Sequence, residues 1–412
     1  MQAIAVLDVG KTRTKLSLWA DGSLIRQADR MNAPVVRGGV AQLDASGIEA
    51  WLVATLSDFA RAARIDAIVP VGHGAAAALV RGDELVAALD YEADVPAEIA
   101  EAYDAERDPF GATLSPRLPG GLNAGLQLFQ WERLHPGLWP RGGRALTWAQ
   151  YWAFVLSGEA ASEVTSLGCH TDLWRPLEAR YSDLALRRGW AERMGPLRRA
   201  DEVLGEIRPA LADATGLPRH CLVYCGVHDS NAALHAARGA AELSGGPFSV
   251  VSTGTWVVCM NAGGRGPAAY DPAEDMLANV DVDGRPTPTA RFMGGRDYEG
   301  WMGDAIGARS DPARLADAER ADAPPADPTL RATCAALQLA RRTDRALSLI
   351  DAEGPVLLEG RFAEDAAFGA ALAALRPSQQ VYRSTFADGV ALGALRLAVG
   401  PNFPAPALER VG

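Results

Sequence analysis

Lysine is nearly absent from this chain. Among 412 residues with 40 Lys and Arg together, Lys11 and Lys15 are the only two lysines. Cysteine is sparse too: Cys169, Cys221, Cys225, Cys259 and Cys334 make an odd count with no repeated spacing. That excludes a disulfide framework. Cys221 and Cys225 lack the second half of a zinc pattern, so all five read as reduced thiols in or near the core. The six histidines form no H-x-x-x-H ligand pair. No apolar run approaches membrane-spanning length, so no membrane partner is expected. The start of the chain has no basic stretch followed by an apolar run and a cleavage site. No signal peptide is expected, and the location is expected to be cytoplasmic. Positive charge is short overall, with a formal net charge of -11. Nucleic-acid binding needs a basic face, which this composition does not supply. A phosphorylated small molecule is not excluded, because a local cationic pocket can oppose the global sign.

What is present begins where the lysines are. They lie four residues apart in Asp8-Val9-Gly10-Lys11-Thr12-Arg13-Thr14-Lys15. A lysine is a compact charge on a flexible stem and can follow a phosphate, whereas arginine offers a rigid planar fork. Ala3 to Leu7 is a short apolar run suited to a buried strand, and after Gly10 the residues alternate with period two up to Ala20. Asp21-Gly22 signals a hairpin, and Leu24-Ile25 start a third strand. Ser46-Gly47-Ile48-Glu49 has the form of a capping box. Ile48, Trp51, Leu52, Leu56, Phe59 and Ala63 follow at helical spacing, and Ile65 to Val71 returns to strand. A second strand, glycine turn and strand occurs at Ser249–Cys259, which suggests two halves on one plan. Gly245-Gly246-Pro247 marks the boundary between expected domains 1–245 and 246–412. Near the end the pattern reads strand (Pro355 to Leu358), helix (Ala363 to Leu375), strand (Gln380 to Tyr382) and helix (Ala387 to Val399).

Gly10-Lys11-Thr12 is not a P-loop. That motif needs a glycine where Ala5 stands, and a helix where a strand follows. A phosphate-binding hairpin fits better. Gly10 lets a phosphate approach, Lys11 adds supporting charge, and Thr12 and Thr14 add hydroxyl donors. Asp8 would hold Mg²⁺ through water, and Lys15 would neutralise charge on a transferred group. Ser252-Thr253-Gly254-Thr255 is a second hydroxyl-rich turn. Asp229, between a strand and a helix, reads either as a helix cap or as a general base taking a proton from a hydroxyl. His73 lies between Gly72 and Gly74, accessible to a sugar hydroxyl, or is a satisfied loop residue. His170 is similar, and His228 reads as a hydrogen-bonding wall residue. Trp131, Trp148 and Trp152 read mainly as core.

Taken together these segments resemble the FGGY carbohydrate kinases of the actin/hexokinase/Hsp70-type superfamily. Asp8 to Lys15 looks like the family's first phosphate segment, with a basic residue seven after the Asp. Tyr151 to Glu159 with Thr165-Ser166 looks like the stretch before the sugar pocket. Gly226-Val227-His228-Asp229 resembles the segment with the catalytic Asp, Ser252 to Trp256 the second phosphate segment, and Ala391-Leu392-Gly393-Ala394 the closing helix. The resemblance implies an α/β fold of two RNase H-like domains, with ATP and sugar in the cleft between them. Asp229 would be the base, and Asp8 a Mg²⁺ ligand by way of water. His73, His170 and His228 would face the sugar. The chain departs from the family in the adenosine segment, Glu359-Gly360-Arg361-Phe362-Ala363-Glu364-Asp365. Arg361 replaces a second glycine, and Asp365 stands near the usual Asn, so Gly360 and Asp365 are the expected nucleotide contacts.

The expected activity is therefore ATP-dependent phosphorylation of a ketose, with Asp229 and Lys15 catalytic. A deoxyketose such as L-fuculose or L-rhamnulose comes first, because Gly74 to Ala78 suits an apolar corner, then D-xylulose or D-ribulose. The alternative is a catalytically silent sugar or nucleotide sensor on the same fold. The oligomeric state is open, with a homodimer among the options.

Overall fold

The computed structural model describes residues 3–137, 139–385, 388–401, 403 and 407–411. The chain folds into two compact units. The first holds Met1–Ala236, Ala278–Pro286 and Asp388–Pro404, and the second Ala237–Leu277, Thr287–Ala387 and Ala405–Gly412.

In the first unit the strand Ala3–Val9 pairs antiparallel with Arg13–Ala20, which pairs antiparallel with Ser23–Met31. On its other edge Ala3–Val9 runs parallel to Ile65–Gly72, which runs parallel to Leu222–Tyr224. The short strand Val227–His228 continues beside the end of Ile65–Gly72, with His228 opposite Gly72. The apolar residues of the central strands are fully buried, as expected for a sheet covered on both faces. One layer against it is the helix Ala45–Ala60, which buries Ile48, Leu52, Leu56 and Phe59. Another is the helix Gly389–Val399, whose Ala391, Ala394 and Leu395 pack with Ile4, Val6 and Val69.

The second unit repeats this plan. Phe248–Thr253 pairs antiparallel with Val257–Ala262, which pairs antiparallel with Pro286–Phe292. Phe248–Thr253 also runs parallel to Val356–Gly360, and that strand parallel to Val381–Ser384. The helices Pro328–Leu349 and Ala366–Leu375 close the core around Phe368, Leu372, Leu339 and Leu347. The expected α/β architecture with two related sheets is present.

Three helix starts differ from the sequence expectation, all because an Asp outcompetes its neighbours as a cap. The first helix begins at Ala45, capped by Asp44, whose carboxylate accepts from Gly47 N at 3.0 Å. A side chain on Gly47 would collide with that carboxylate, so the glycine serves the cap. Ser46 instead accepts from Arg37. The helix expected from Ala363 starts at Ala366, with Asp365 accepting from Ala367 N and Phe368 N. The last helix starts at Gly389, capped by Asp388, and Ala387 lies outside the described residues. All five cysteines are buried and free.

Candidate active site

Asp8 ends one parallel strand, His73 follows the next, and Asp229 follows the short strand beside it. Loops at the C-terminal ends of neighbouring parallel strands converge, so residues distant in sequence meet at one edge of the first unit. The antiparallel register sets Lys15 directly opposite Asp8. Lys15 Nζ is 3.6 Å from Asp8 Oδ2 and 2.6 Å from Asp388 Oδ2. Burial pushes the Asp8 carboxyl up to about 7 against the pull of Lys15, and the charges of Asp229 and Asp388 push the same way. Two carboxylates thus share one ammonium group, and the charge of Asp229 also acts on Asp8, an arrangement that favours a further cation.

Asp229 opens the helix Asp229–Ala237 and its side chain is 32% exposed. Its Oδ1 accepts from Ser230 N at 2.5 Å and lies 3.2 Å from both Ser230 Oγ and His228 Nε2. The carboxylate is therefore held at the helix start by one oxygen.

Around Gly10 the turn is braced by Asn32, whose Nδ2 donates to Gly10 O at 2.9 Å and whose backbone N donates to Thr12 O. Thr14 is fully buried and its hydroxyl is bound to Asn32, so it stiffens the turn from behind. Strand alternation explains this: Thr14 lies on the face of Leu16 and Leu18, Lys15 on the other. Thr12 is exposed. Lys11 pairs with Asp90, lies 3.5 Å from Glu92, and sits 5.0 Å over the Tyr91 ring. It borders a cavity of about 160 Å³ with His73, Asp90, Trp148, Asn32 and Asp44.

His73 Nδ1 contacts Gly74 O at 2.9 Å, its ring meets Tyr91 edge-on, and its Nε2 is buried without a protein partner. Burial holds this imidazole below its usual pKa. Both ring nitrogens of His228 are engaged by protein groups. His170 Nδ1 contacts Leu122 O at 3.1 Å in a stretch where His170 and Asp172 both have positive φ. Ala75 to Ala78 are buried, with Ala76 and Ala78 in the main core. Trp131 and Trp152 are core residues as expected, while Trp148 also lines the Lys11 cavity.

In the second unit, Thr253 Oγ1 donates to Glu359 O at 2.6 Å and accepts from Phe362 N at 2.9 Å. Gly360 has φ +83°, and a Cβ there would lie 2.2 Å from Thr253 O. The turn at Gly254–Thr255 is held by Gly254 N to Trp256 O and Gly295 N to Thr255 O. Ser252 is half-buried and Thr255 exposed beside it. Asp365 caps its helix and accepts from Ser310 Oγ at 2.6 Å. Arg361, in the place of a second glycine, pairs with Glu299 at 2.6 Å. A cavity of about 440 Å³ opens beside the helix Gly294–Met302, lined by Gly294, Asp297, Tyr298, Trp301, Gln338 and Arg342.

Sequence reasoning missed Asp388, Asp90, and the Tyr298–Trp301 cavity. Asp388 had a signal, since an Asp directly before an apolar periodic run is a cap signature. Its pairing with Lys15, 373 positions away, had none.

Among the described residues no helix is long and apolar enough to cross a membrane. Residues 245–323 and 305–406 match a family model described as the C-terminal domain of FGGY carbohydrate kinases. No curated protein sequence matches the chain. A carbohydrate kinase from Novosphingobium aromaticivorans is 40% identical with a TM-score of 0.92, over 100% of this chain and 94% of that one. A ligand-bound xylulose kinase from Lactobacillus acidophilus has a TM-score of 0.77 at 13% identity, over 99% and 93% of the two chains. A glycerol kinase from Plasmodium falciparum, solved with ADP, has 0.76 at 11%, over 100% and 94%. The latter two likenesses speak to the fold alone. With a whole-length relative at 40% identity and the matched C-terminal domain, the chain belongs to the FGGY carbohydrate kinases, which are sugar phosphotransferases.

Proposed function

We propose that this kinase transfers the γ-phosphoryl group of ATP to a hydroxyl of a ketose. The observation that carries the reading is the grouping of Lys15 with Asp8 and Asp388 at the strand ends that also present Asp229. Asp229 takes the proton from the attacking hydroxyl through its outer carboxylate oxygen. The sugar oxygen bonds to the γ-phosphorus as the bond to the ADP oxygen breaks. Lys15 offsets the charge spreading over the transferred group. Among the described residues no three His, Cys, Asp or Glu side chains stand together as a direct metal cage. One or two carboxylates are instead the donor set that suits Mg²⁺ with its waters retained. Asp8, with Asp388 beside it, would hold the ion in this way, and when bound it would supply charge neutralisation at the phosphates.

Residues 1–245, joined by Asp388 from the last helix, are assigned to sugar and transferred phosphate, and the rest of 246–412 to the nucleotide. The turn at Ser252, Thr253, Gly254 and Thr255 takes phosphate oxygens, Thr253 and Asp365 acting through the backbone they hold. The cavity beside Tyr298 and Trp301 has the size and aromatic lining for an adenine. His73, with its unpartnered Nε2, meets a sugar hydroxyl, and His170 borders the same side. L-Fuculose or L-rhamnulose stays first and D-xylulose or D-ribulose next, in a cytoplasmic setting that suits five reduced thiols.

The test is ADP release with Mg·ATP over those four ketoses. Turnover of at least one is expected, and Asp229→Ala should abolish it while ATP still binds. Tight sugar binding with no turnover would favour a silent sensor instead.

A further inference from the structure

The imidazole beside the candidate base sits in an unusually determined setting. His228 is buried, and Asn231 Nδ2 lies 3.0 Å from its Nδ1. An amide nitrogen only donates, so Nδ1 must carry a lone pair and the ring proton must be on Nε2. The opposite amide orientation would move that proton to Nδ1. It would then leave an Nε2 lone pair 3.2 Å from a carboxylate oxygen, which is repulsive. The Nε2–H group therefore lies between Cys169 Sγ, its hydrogen-bond partner at 3.3 Å, and Asp229 Oδ1, within ion-pair range at 3.2 Å.

The ring cannot easily move. Its own backbone N–H donates to Thr165 Oγ1 at 3.0 Å. That hydroxyl donates to Glu163 Oε2 at 2.5 Å, and Glu163 also accepts from the backbone N–H groups of Thr165 and Ser166. On the open side stands Gly74, where a Cβ would lie 2.8 Å from His228 Nε2 and 2.4 Å from Cys169 Sγ. A glycine is the residue that leaves room for this packing. Burial also disfavours the charged imidazole, which keeps the ring in its neutral, single-donor form.

We propose that His228 is the positioning residue of Asp229. Its Nε2–H and the Ser230 N–H fix one carboxylate oxygen, so that the other is presented as the base. The chain Glu163–Thr165 and Asn231 hold the imidazole in the required tautomer and orientation. This goes beyond the reading of Asp229 as base and rests on it. The charged and titratable groups around the pair are Asp229 itself, His73 from the loop after Ile65–Gly72, Tyr91 packed on His73, and Cys169 after the helix Val164–Leu167. Asp8 interacts electrostatically with Asp229, and Lys15 and Asp388 stand beside Asp8.

The experiment compares the full-length enzyme with His228→Leu, His228→Gln and Asp229→Ala, on whichever of D-xylulose, D-ribulose, L-fuculose and L-rhamnulose wild type turns over fastest. His228→Leu should lower kcat roughly tenfold to a hundredfold with KM for ATP unchanged. Loss of a donor to a carboxylate raises its pKa, so the acid limb of kcat/KM should move up by about one pH unit. Asp8 is present in the wild type and both His228 variants, so the movement is read as a difference from the wild-type limb. His228→Gln can place an amide N–H where Nε2–H stood, and should recover most of the rate and the original limb. A role in packing alone would cut kcat without moving the limb or being rescued by Gln, and would overturn the proposal. So would His228→Leu at wild-type rate while Asp229→Ala is dead, which leaves the base reading intact. An active Asp229→Ala would bring down the base reading and the proposal with it. If His228→Leu fails to fold, ¹⁵N NMR of the wild-type imidazole decides. A protonated Nε2 and bare Nδ1 are expected, and the reverse tautomer overturns the proposal.

Discussion

At the scale of single residues, the two lysines have different partners and should have different costs. Lys15 is held between Asp8 and Asp388, and Lys11 among Asp90, Glu92 and Tyr91. Lys15→Ala should lower kcat by about a hundredfold or more, as for loss of one electrostatic stabiliser. Lys11→Ala should cost less than about tenfold in kcat, which steady-state kinetics would resolve. A reversed order would mean that the hairpin meets the γ-phosphate differently from the proposal. Asp8, Lys15 and Asp229 were legible in the sequence because each sits in a short segment whose turn chemistry is local. Asp388 was not, since its partner is brought to it by the sheet and helix packing of the whole unit. Asp365 and Thr14 show the converse difficulty. A carboxylate that caps a helix, or a hydroxyl that braces a turn, has the same sequence surroundings as one that binds a ligand.

At the scale of elements, the hairpins and their parallel neighbours were readable from period-two alternation, and their errors concentrate at helix starts. There a strong Asp cap sets the first residue, and apolar periodicity alone runs past it. The turn at Gly360 makes a sharp demand on the backbone. Gly360 has φ +83° and packs against the Thr253 carbonyl, while Arg361 N donates to that same oxygen at 2.8 Å. Gly360→Ala combines a left-handed backbone with a collision. It should destabilise the protein on the order of 3 kcal/mol. Guanidinium unfolding would show this as a lower midpoint, and an unchanged midpoint would contradict the geometry. A comparable close approach occurs at Gly393, where a Cβ would meet the Ala232 backbone. The helix capped by Asp388 can therefore lie directly against the helix that starts at Asp229.

At the scale of the whole molecule, burial raises three carboxyls, Asp8, Glu163 and Glu359, to about 7. A carboxyl with a raised pKa holds its proton more tightly when folded. The stability it contributes is complete below its unfolded value near 4 and is lost as pH rises through about 7. Glu163 is the cleanest test because it is fully buried. Relative to Glu163→Gln, wild type should lose about 3 kcal/mol of unfolding free energy between pH 4 and pH 8, measurable by denaturant titration at each pH. A constant difference across that range would mean that folding leaves the Glu163 carboxyl unshifted, its three hydrogen bonds balancing burial.

The scarcity of lysine carries a consequence for how this enzyme can be watched. Its only two ε-amines follow Gly10, one in the turn and one on the strand after it, and are both ion-paired. Side-chain acylation, reductive methylation or isotopic labelling of lysine is confined to that hairpin, with no background from the rest of the surface. The chain thus carries a native pair of reporter amines at its candidate site, and shielding of those amines by a bound molecule would read out occupancy without any engineered tag.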